Sequence, residues 1–267
     1  GFIRIEKNLP EHGLKTYAGV GYVERTPDFW ELYSTSTDRG VGTMDMMGMT
    51  TYRMVDNLNN LKNERTAQLD FGFQAEHGAW NGWASAYVGV IKDFILLQYN
   101  DANAYYPSAR NVDATIAGAE AGLGYQLTDH FQTDISAMYA WGKNTSDGRA
   151  LPQIAPLEGR LNLRYVDEKY SLGLLWRAVA KQNRISLNEG NVVGYDMNES
   201  KAFNTLSVNG TYKLTDAVDI SVGVDNVLNK AYTEHLNKAG ASMFGYAASE
   251  QFNNIGRNYW MRMSMKF

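Results

Sequence analysis

Hydrophobic and polar residues alternate along most of this chain with a period of two. Near the C-terminus, one set of alternate positions starts at Tyr259 and is apolar, while the other starts at Trp260 and is mainly polar. Alternation of this kind is typical of β-strands whose two faces meet different surroundings. The pattern predicts about eleven strands, near residues 1–8, 14–26, 64–77, 80–98, 110–127, 131–144, 158–167, 171–185, 202–214, 217–228 and 257–267.

The lengths of the strands and of their connections narrow the fold class. Many predicted strands exceed the ~5–6 residues usual in soluble proteins and reach the ~9–11 residues that a tilted bilayer crossing requires. Long and short connections alternate along the chain, as in an up-and-down sheet with loops at one end and tight turns at the other. A soluble sandwich or lipocalin-like barrel would also alternate, with its apolar face packed inside. The membrane interpretation is favoured by strand length, loop alternation and the aromatic strand ends Tyr139, Trp141, Tyr165, Tyr212, Tyr259 and Trp260.

The sequence therefore predicts an all-β fold, a transmembrane antiparallel up-and-down β-barrel. Every backbone polar group must be paired in lipid, so the sheet has to close with its polar face inward. Bacterial single-chain barrels have an even number of strands, whereas this chain has about eleven, half of the 22 found in plugged outer-membrane transporters. Either the count of strands is off by one, or the chain is part of a barrel. The predicted inner wall is charged and carries Glu120, Asp134, Arg160, Arg164, Arg177, Asp219 and Asp225.

Composition excludes several other classes of function. The chain has 25 Lys+Arg against 29 Asp+Glu, which gives no reason to expect nucleic-acid binding. It has no cysteine, which excludes a disulfide, a thiolate metal site and a cysteine nucleophile. No phosphate loop, zincin motif or nucleophile elbow occurs. Three of the four histidines fall at short turns and only His235 falls in a long connection, so an enzyme is not expected.

An unusual cluster of methionines lies in the first long connection, within residues 42–50. Thioethers are soft ligands that select Cu(I), whereas Cu(II) prefers imidazole and carboxylate, which His235, Glu234 or Asp45 could supply. The alternative is an apolar cluster that packs over the barrel mouth against the aromatic residues Phe29, Trp30, Tyr33 and Tyr52. Both interpretations stay open at this point. The candidate metal ligands are Met44, Met46, Met47, Met49, Met54, His235 and Met243.

Five stretches resemble TonB-dependent outer-membrane receptors. They are residues 24–33 (ERTPDFWELY), 111–120 (NVDATIAGAE), 148–159 (GRALPQIAPLEG), 225–232 (DNVLNKAY) and the terminal Phe267 after alternating apolar residues. Each motif alone is weak, but together and in this order they are specific. Within this family, the combination of residues 25–33 (RTPDFWELY), 148–161 (GRALPQIAPLEGRL) and 232–240 (YTEHLNKAG) is most similar to the copper-receptor branch.

The resemblance implies a location and a set of partners. Residues 1–267 would be the C-terminal part of the barrel, without the plug domain, in the bacterial outer membrane. Long loops would be extracellular, and short turns and the C-terminus periplasmic. TonB would act through the plug, the barrel-assembly machinery would read Phe267, and lipid would cover Met261, Met263 and Met265.

The resemblance also implies a function, the uptake of copper or another metal or metal complex. Copper would be cargo, and no prosthetic group is expected. The alternatives are a passive outer-membrane channel and a barrel-embedded hydrolase. Since eleven strands cannot close alone, the strands at residues 1–8 and 259–267 should be edges.

Overall fold

The computed structural model describes residues 1–33, 43–44, 50–51, 61–99, 108–237 and 250–266. Within these residues a 3-10 turn spans Pro10–His12 and one helix, α1, spans Phe29–Tyr33. No helix of the described part is long and apolar enough to cross a membrane. The strands are β1 (Phe2–Leu9), β2 (Leu14–Arg25), β3 (Thr43–Met44), β4 (Thr50–Thr51), β5 (Glu64–His77), β6 (Trp80–Gln98), β7 (Ser108–Gln126), β8 (Phe131–Asn144), β9 (Arg149–Ala150), β10 (Glu158–Val166), β11 (Tyr170–Val179), β12 (Glu189–Gly190), β13 (Phe203–Thr215), β14 (Val218–Asp225) and β15 (Asn258–Met265).

Eleven of these strands form one antiparallel meander in the order β1-β2-β5-β6-β7-β8-β10-β11-β13-β14-β15. The short strands β9 and β12 extend this sheet beside β8 and β6, while β3 and β4 pair with each other. The predicted all-β, up-and-down architecture is confirmed. Among the described strands β1 pairs only with β2 and β15 only with β14, so the sheet is open at the two predicted edges.

Two predicted strand ends were wrong. The strand predicted at 171–185 ends at Val179, because the chain then crosses over neighbouring strands. Gln182 Nε2 donates a hydrogen bond to the carbonyl of Ile154 at 3.0 Å, and Arg184 Nη2 donates to the carbonyl of Gly142 at 3.0 Å. The strand predicted at 217–228 ends at Asp225, because Asn226 has a φ of 48° and its side chain bonds both backbone groups of Lys230.

The register of the strands places the predicted inner-wall charges on one face. Glu120 lies opposite Met138, which lies opposite Glu158 on the next strand, while Arg160 lies opposite Arg177. On the other face Met261, Met263 and Met265 are 77%, 59% and 51% exposed. A single layer of sheet with one polar and one exposed apolar face matches a barrel wall between lumen and lipid.

Among the residues that the structure describes, the buried hydrophobic side chains lie at the end of the sheet where the long connections are. Ile95, Leu96 and Leu97, near the end of β6, are at most 1% exposed. Ile91 and Leu151 are also buried and belong to a cluster that includes residues of β7. This end is therefore where loops fold onto the barrel and where side chains from different connections meet.

Candidate functional site

Helix α1 is fixed at the start of the methionine-containing connection by a buried carboxylate. Glu31 is 4% exposed, and its two oxygens accept hydrogen bonds from Arg25 Nη1 and Nη2, both at 2.9 Å. Glu31 also accepts from the backbone N–H of Asp28, whose side chain accepts from the N–H of Glu31, a reciprocal cap. Arg25 Nε donates to Glu64 at 2.6 Å, which ties the helix to β5.

The methionine segment is described at its two ends only. Thr43 lies opposite Thr51 and Met44 lies opposite Thr50, so β3 and β4 bring the ends of residues 45–49 together. The remaining predicted thioether ligands lie outside the described residues: Met46, Met47, Met49, Met54 and Met243. Their role as ligands stays a prediction.

A buried carboxylate joins two other connections. Asp196 is 1% exposed and lies between β12 and β13. Its Oδ1 accepts hydrogen bonds from the backbone N–H of Gln153 at 2.9 Å and from Gln153 Nε2 at 3.1 Å. Its Oδ2 accepts from the backbone N–H of Ser186 at 2.9 Å. All three donors are neutral, so none of them balances the charge of the carboxylate.

His235 lies against this carboxylate and is itself 3% exposed. Its Nε2 is 3.4 Å from Asp196 Oδ1, which is within ion-pair distance but lacks hydrogen-bond geometry. Neither ring nitrogen has a hydrogen-bond partner among the described residues. Leaving a buried polar group unpaired costs about 1–3 kcal/mol. We therefore expect the imidazole of His235 to have a binding partner. Within the described part of the chain, no group of three or more His, Cys, Asp or Glu side chains could hold a metal ion.

A second polar network docks β12 onto the end of β6. Glu189 is 3% exposed and accepts from Ser186 Oγ at 2.5 Å and from Gln98 Nε2 at 3.1 Å. Arg110 Nη2 reaches the same carboxylate at 3.3 Å and also pairs with Asp147. The hydrogen bond from Arg110 lowers the pKa of Asp147 below its ordinary value. These side-chain contacts join two connections, those that carry Asp147 and Glu189, to the ends of β6 and β7.

Arg177 links the inner wall to the connection that carries His235. Its Nη2 donates to Glu158 at 2.6 Å, and its Nη1 donates to Glu234 at 2.5 Å. The guanidinium also lies over the ring of Phe203, 5.3 Å from its centroid. Because Glu234 precedes His235, this pair fixes the backbone that presents the buried imidazole.

Some of these groups were predicted from the sequence and others were not. His235, Glu234 and Arg177 were predicted, and the structure brings Arg177 and Glu234 into contact. Asp196 and Glu189 were missed, because a carboxylate in a polar connection is ordinarily solvated and nothing local marks it as buried. Glu31 of α1 and Asp28 just before the helix belong to the motif at residues 24–33, but that motif did not predict their reciprocal cap.

The chain is similar to a known protein family and to several solved structures. The family model described as "TonB dependent receptor-like, beta-barrel" matches residues 8–227. No curated protein matches the chain. The solved structure of the copper transporter OprC is 46% identical with a TM-score of 0.90, and the match covers 100% of this chain and 39% of that one.

Two further solved structures share the fold at low identity. The FrpB iron transporter from Neisseria meningitidis is 17% identical with a TM-score of 0.69, over 100% of this chain and 38% of that one. A ferric enterobactin receptor mutant from Pseudomonas aeruginosa, in complex with enterobactin, is 20% identical with a TM-score of 0.71, over 100% and 40%. The chain thus spans about two fifths of the length of each of these proteins.

Proposed function

The chain belongs to the TonB-dependent receptor family of outer-membrane β-barrels, and from this membership we propose that it forms part of a receptor that takes up copper. The observation that carries the proposal is the 46% identity to a copper transporter over 100% of this chain. The iron transporter and the ferric enterobactin receptor, at 17% and 20% identity, support the fold alone. Another metal or a metal complex is the broader form of the same proposal.

The methionine segment supplies chemistry that suits this cargo. Thioether sulfurs select Cu(I), and they can bind it without cysteine, which this chain lacks. The antiparallel pairing of Met44 with Thr50 holds the ends of the segment together. The contact between Glu31 and Arg25 fixes the helix from which the segment departs. In this proposal Met44, Met46, Met47 and Met49 form the capture site, with Met54 and Met243 as further sulfur donors.

The rest of the receptor follows from the family. TonB-dependent receptors work with TonB and have a plug domain, and we propose that residues 1–267 are the C-terminal part of the barrel around such a plug. The long connections then face the outside and the short turns face the periplasm. The charged face with Arg160 and Glu158 contacts the plug, and the barrel-assembly machinery recognises Phe267.

The alternatives from the sequence have less support. The relatives of this chain are transporters and receptors, which are not enzymes, and this disfavours a barrel-embedded hydrolase. A passive channel would use the same charged inner wall, but no specific contact of the described residues favours it over a plugged receptor.

The test is copper binding and uptake by the full-length receptor with Met44, Met46, Met47 and Met49 replaced by leucine. We expect Cu(I) affinity and copper accumulation in cells to fall at least ~10-fold, because leucine keeps the apolar volume but removes the soft donor. The matched control makes the same leucine replacement at Met261, Met263 and Met265 on the exposed face of β15. This variant should leave copper affinity and accumulation unchanged. Equal copper affinity in the two variants would refute the methionine site, and the apolar-cluster interpretation would stand.

A further inference from the structure

The contact between His235 and Asp196 points to a bound cation. Asp196 is buried with its charge facing neutral N–H donors from Gln153 and Ser186. A buried carboxylate needs a positive partner, since an isolated charge is unfavourable in the interior. Among the groups whose contacts with Asp196 are described, His235 is the one that can supply or hold that charge.

A protonated imidazole alone does not explain the geometry. It would donate an aligned N–H to the carboxylate, whereas the two atoms are 3.4 Å apart without hydrogen-bond geometry. A metal ion between the two side chains satisfies Nε2 and balances the carboxylate at the same time.

The distance matches this arrangement. Zinc binds histidine nitrogen and carboxylate oxygen at about 2.0–2.2 Å with tetrahedral angles, and two such bonds put the ligand atoms about 3.3–3.5 Å apart. The right angle of a tetragonal Cu(II) site would put them only about 2.8–3.1 Å apart. The observed 3.4 Å therefore fits a tetrahedral ion. We propose that His235 Nε2 and Asp196 Oδ1 are two ligands of a Zn²⁺-class cation.

The hydrogen bonds around Asp196 resemble those that orient the ligands of a metal site. Ligating carboxylates are themselves hydrogen-bonded, which fixes their orientation. Here the N–H groups of Gln153 and Ser186 hold the two oxygens of Asp196, and Arg177 holds the neighbouring Glu234. Water molecules or carbonyl oxygens complete the coordination, since the described residues supply no third side chain of this type.

The position of the site suggests what the ion does. Gln153, Asp196 and His235 belong to three different long connections, those after β9, β12 and β14. A cation held by two of them, with the third bonded to the same carboxylate, fastens these connections to one another. The site is separate from the methionine segment, and its existence does not depend on copper transport.

The experiment uses the full-length receptor, loaded with Zn²⁺ or with Co²⁺ as a spectroscopic probe after treatment with a chelator. We expect the visible absorption of tetrahedral Co²⁺, and anomalous scattering from Zn²⁺ between His235 and Asp196 in crystals. His235→Gln should remove one bound Zn²⁺ per receptor, and Asp196→Asn should weaken binding at least ~10-fold. The matched control is His130→Gln, a histidine at a short turn whose Nδ1 lies 2.9 Å from the carbonyl of Val166, which should leave the ion bound.

Loss of Zn²⁺ binding can be distinguished from misfolding and from a failure of the copper proposal. Heat-modifiable migration in gel electrophoresis reports whether each variant forms the barrel. A folded His235→Gln variant with unchanged Zn²⁺ stoichiometry, or crystals without an anomalous signal between His235 and Asp196, would overturn the proposal. Failure of the methionine variants to change Cu(I) affinity would leave the Zn²⁺ result untouched.

Discussion

Trp260 occupies the space that a side chain at Gly223 would need. The two residues face each other in the register of β14 and β15, and a Cβ built at Gly223 would overlap the indole ring. The same relationship joins Tyr87 to Gly118 on neighbouring strands. These glycines lie on the polar face, where they make room for aromatic rings that pack across the sheet.

We therefore expect Gly223→Ala to destabilise the barrel by about 1–3 kcal/mol, the usual cost of overpacking a filled site. Gly159→Ala is the matched control, because the nearest atom to its Cβ would be the Ser136 carbonyl oxygen at 3.9 Å. The measurement is the free energy of unfolding of the full-length receptor in urea. Adding Trp260→Leu to Gly223→Ala should recover most of the loss. Equal effects of the two alanine substitutions would contradict this account.

Arg177→Lys should be a strongly destabilising change although it keeps the charge. The guanidinium binds Glu158 and Glu234 with separate N–H groups, a geometry that one ammonium reproduces poorly. Because the side chain of Arg177 is only 21% exposed, we expect a loss of about 1–3 kcal/mol. Arg4→Lys is the control, since the pair of Arg4 with Glu6 is exposed to solvent, which weakens an ion pair. Thermal melting of both variants would test this, and similar melting temperatures would argue against a special role for Arg177.

The sequence predicted the sheet far better than the structure of the connections. Period-two alternation depends only on neighbours along the chain, so it located β8 at Phe131–Asn144 without error. The end of β11 was wrong because it depends on Gln182 and Arg184 bonding to carbonyls distant in sequence. Asp196 could not be found for the same reason, since its burial requires three connections to meet. That this sheet forms half of a 22-stranded barrel stays a prediction.

The pair of Asp147 and Arg110 should make stability depend on pH in the acidic range. Asp147 lies outside the strands, and the hydrogen bond from Arg110 lowers its pKa below the ordinary value of 3.8. A lowered pKa means that the folded state binds this proton less readily than the unfolded state. The stabilisation is therefore present above about pH 4 and is lost as the pH falls through the lower, folded-state pKa.

Asp147→Asn isolates this contribution from that of the other carboxylates. The difference in free energy of unfolding between the wild-type receptor and Asp147→Asn should be largest near neutral pH and shrink towards pH 3. The urea midpoint of both proteins, measured across this range, provides the check. A difference that stays constant with pH would mean that Arg110 does not stabilise the charged form of Asp147.

Glu31→Gln should weaken copper capture without removing any proposed copper ligand. Glutamine keeps the size of Glu31 but loses the charge that binds both terminal nitrogens of Arg25 at 2.9 Å, so α1 should lose about 1–3 kcal/mol of anchoring. Since the methionine segment follows α1, we expect Cu(I) affinity to fall several-fold in competition with a chromogenic chelator. Glu6→Gln, in an exposed pair with Lys15, is the control and should leave affinity unchanged. If Glu31→Gln lowers the melting temperature but not the affinity, the anchor stabilises the barrel without positioning the methionines.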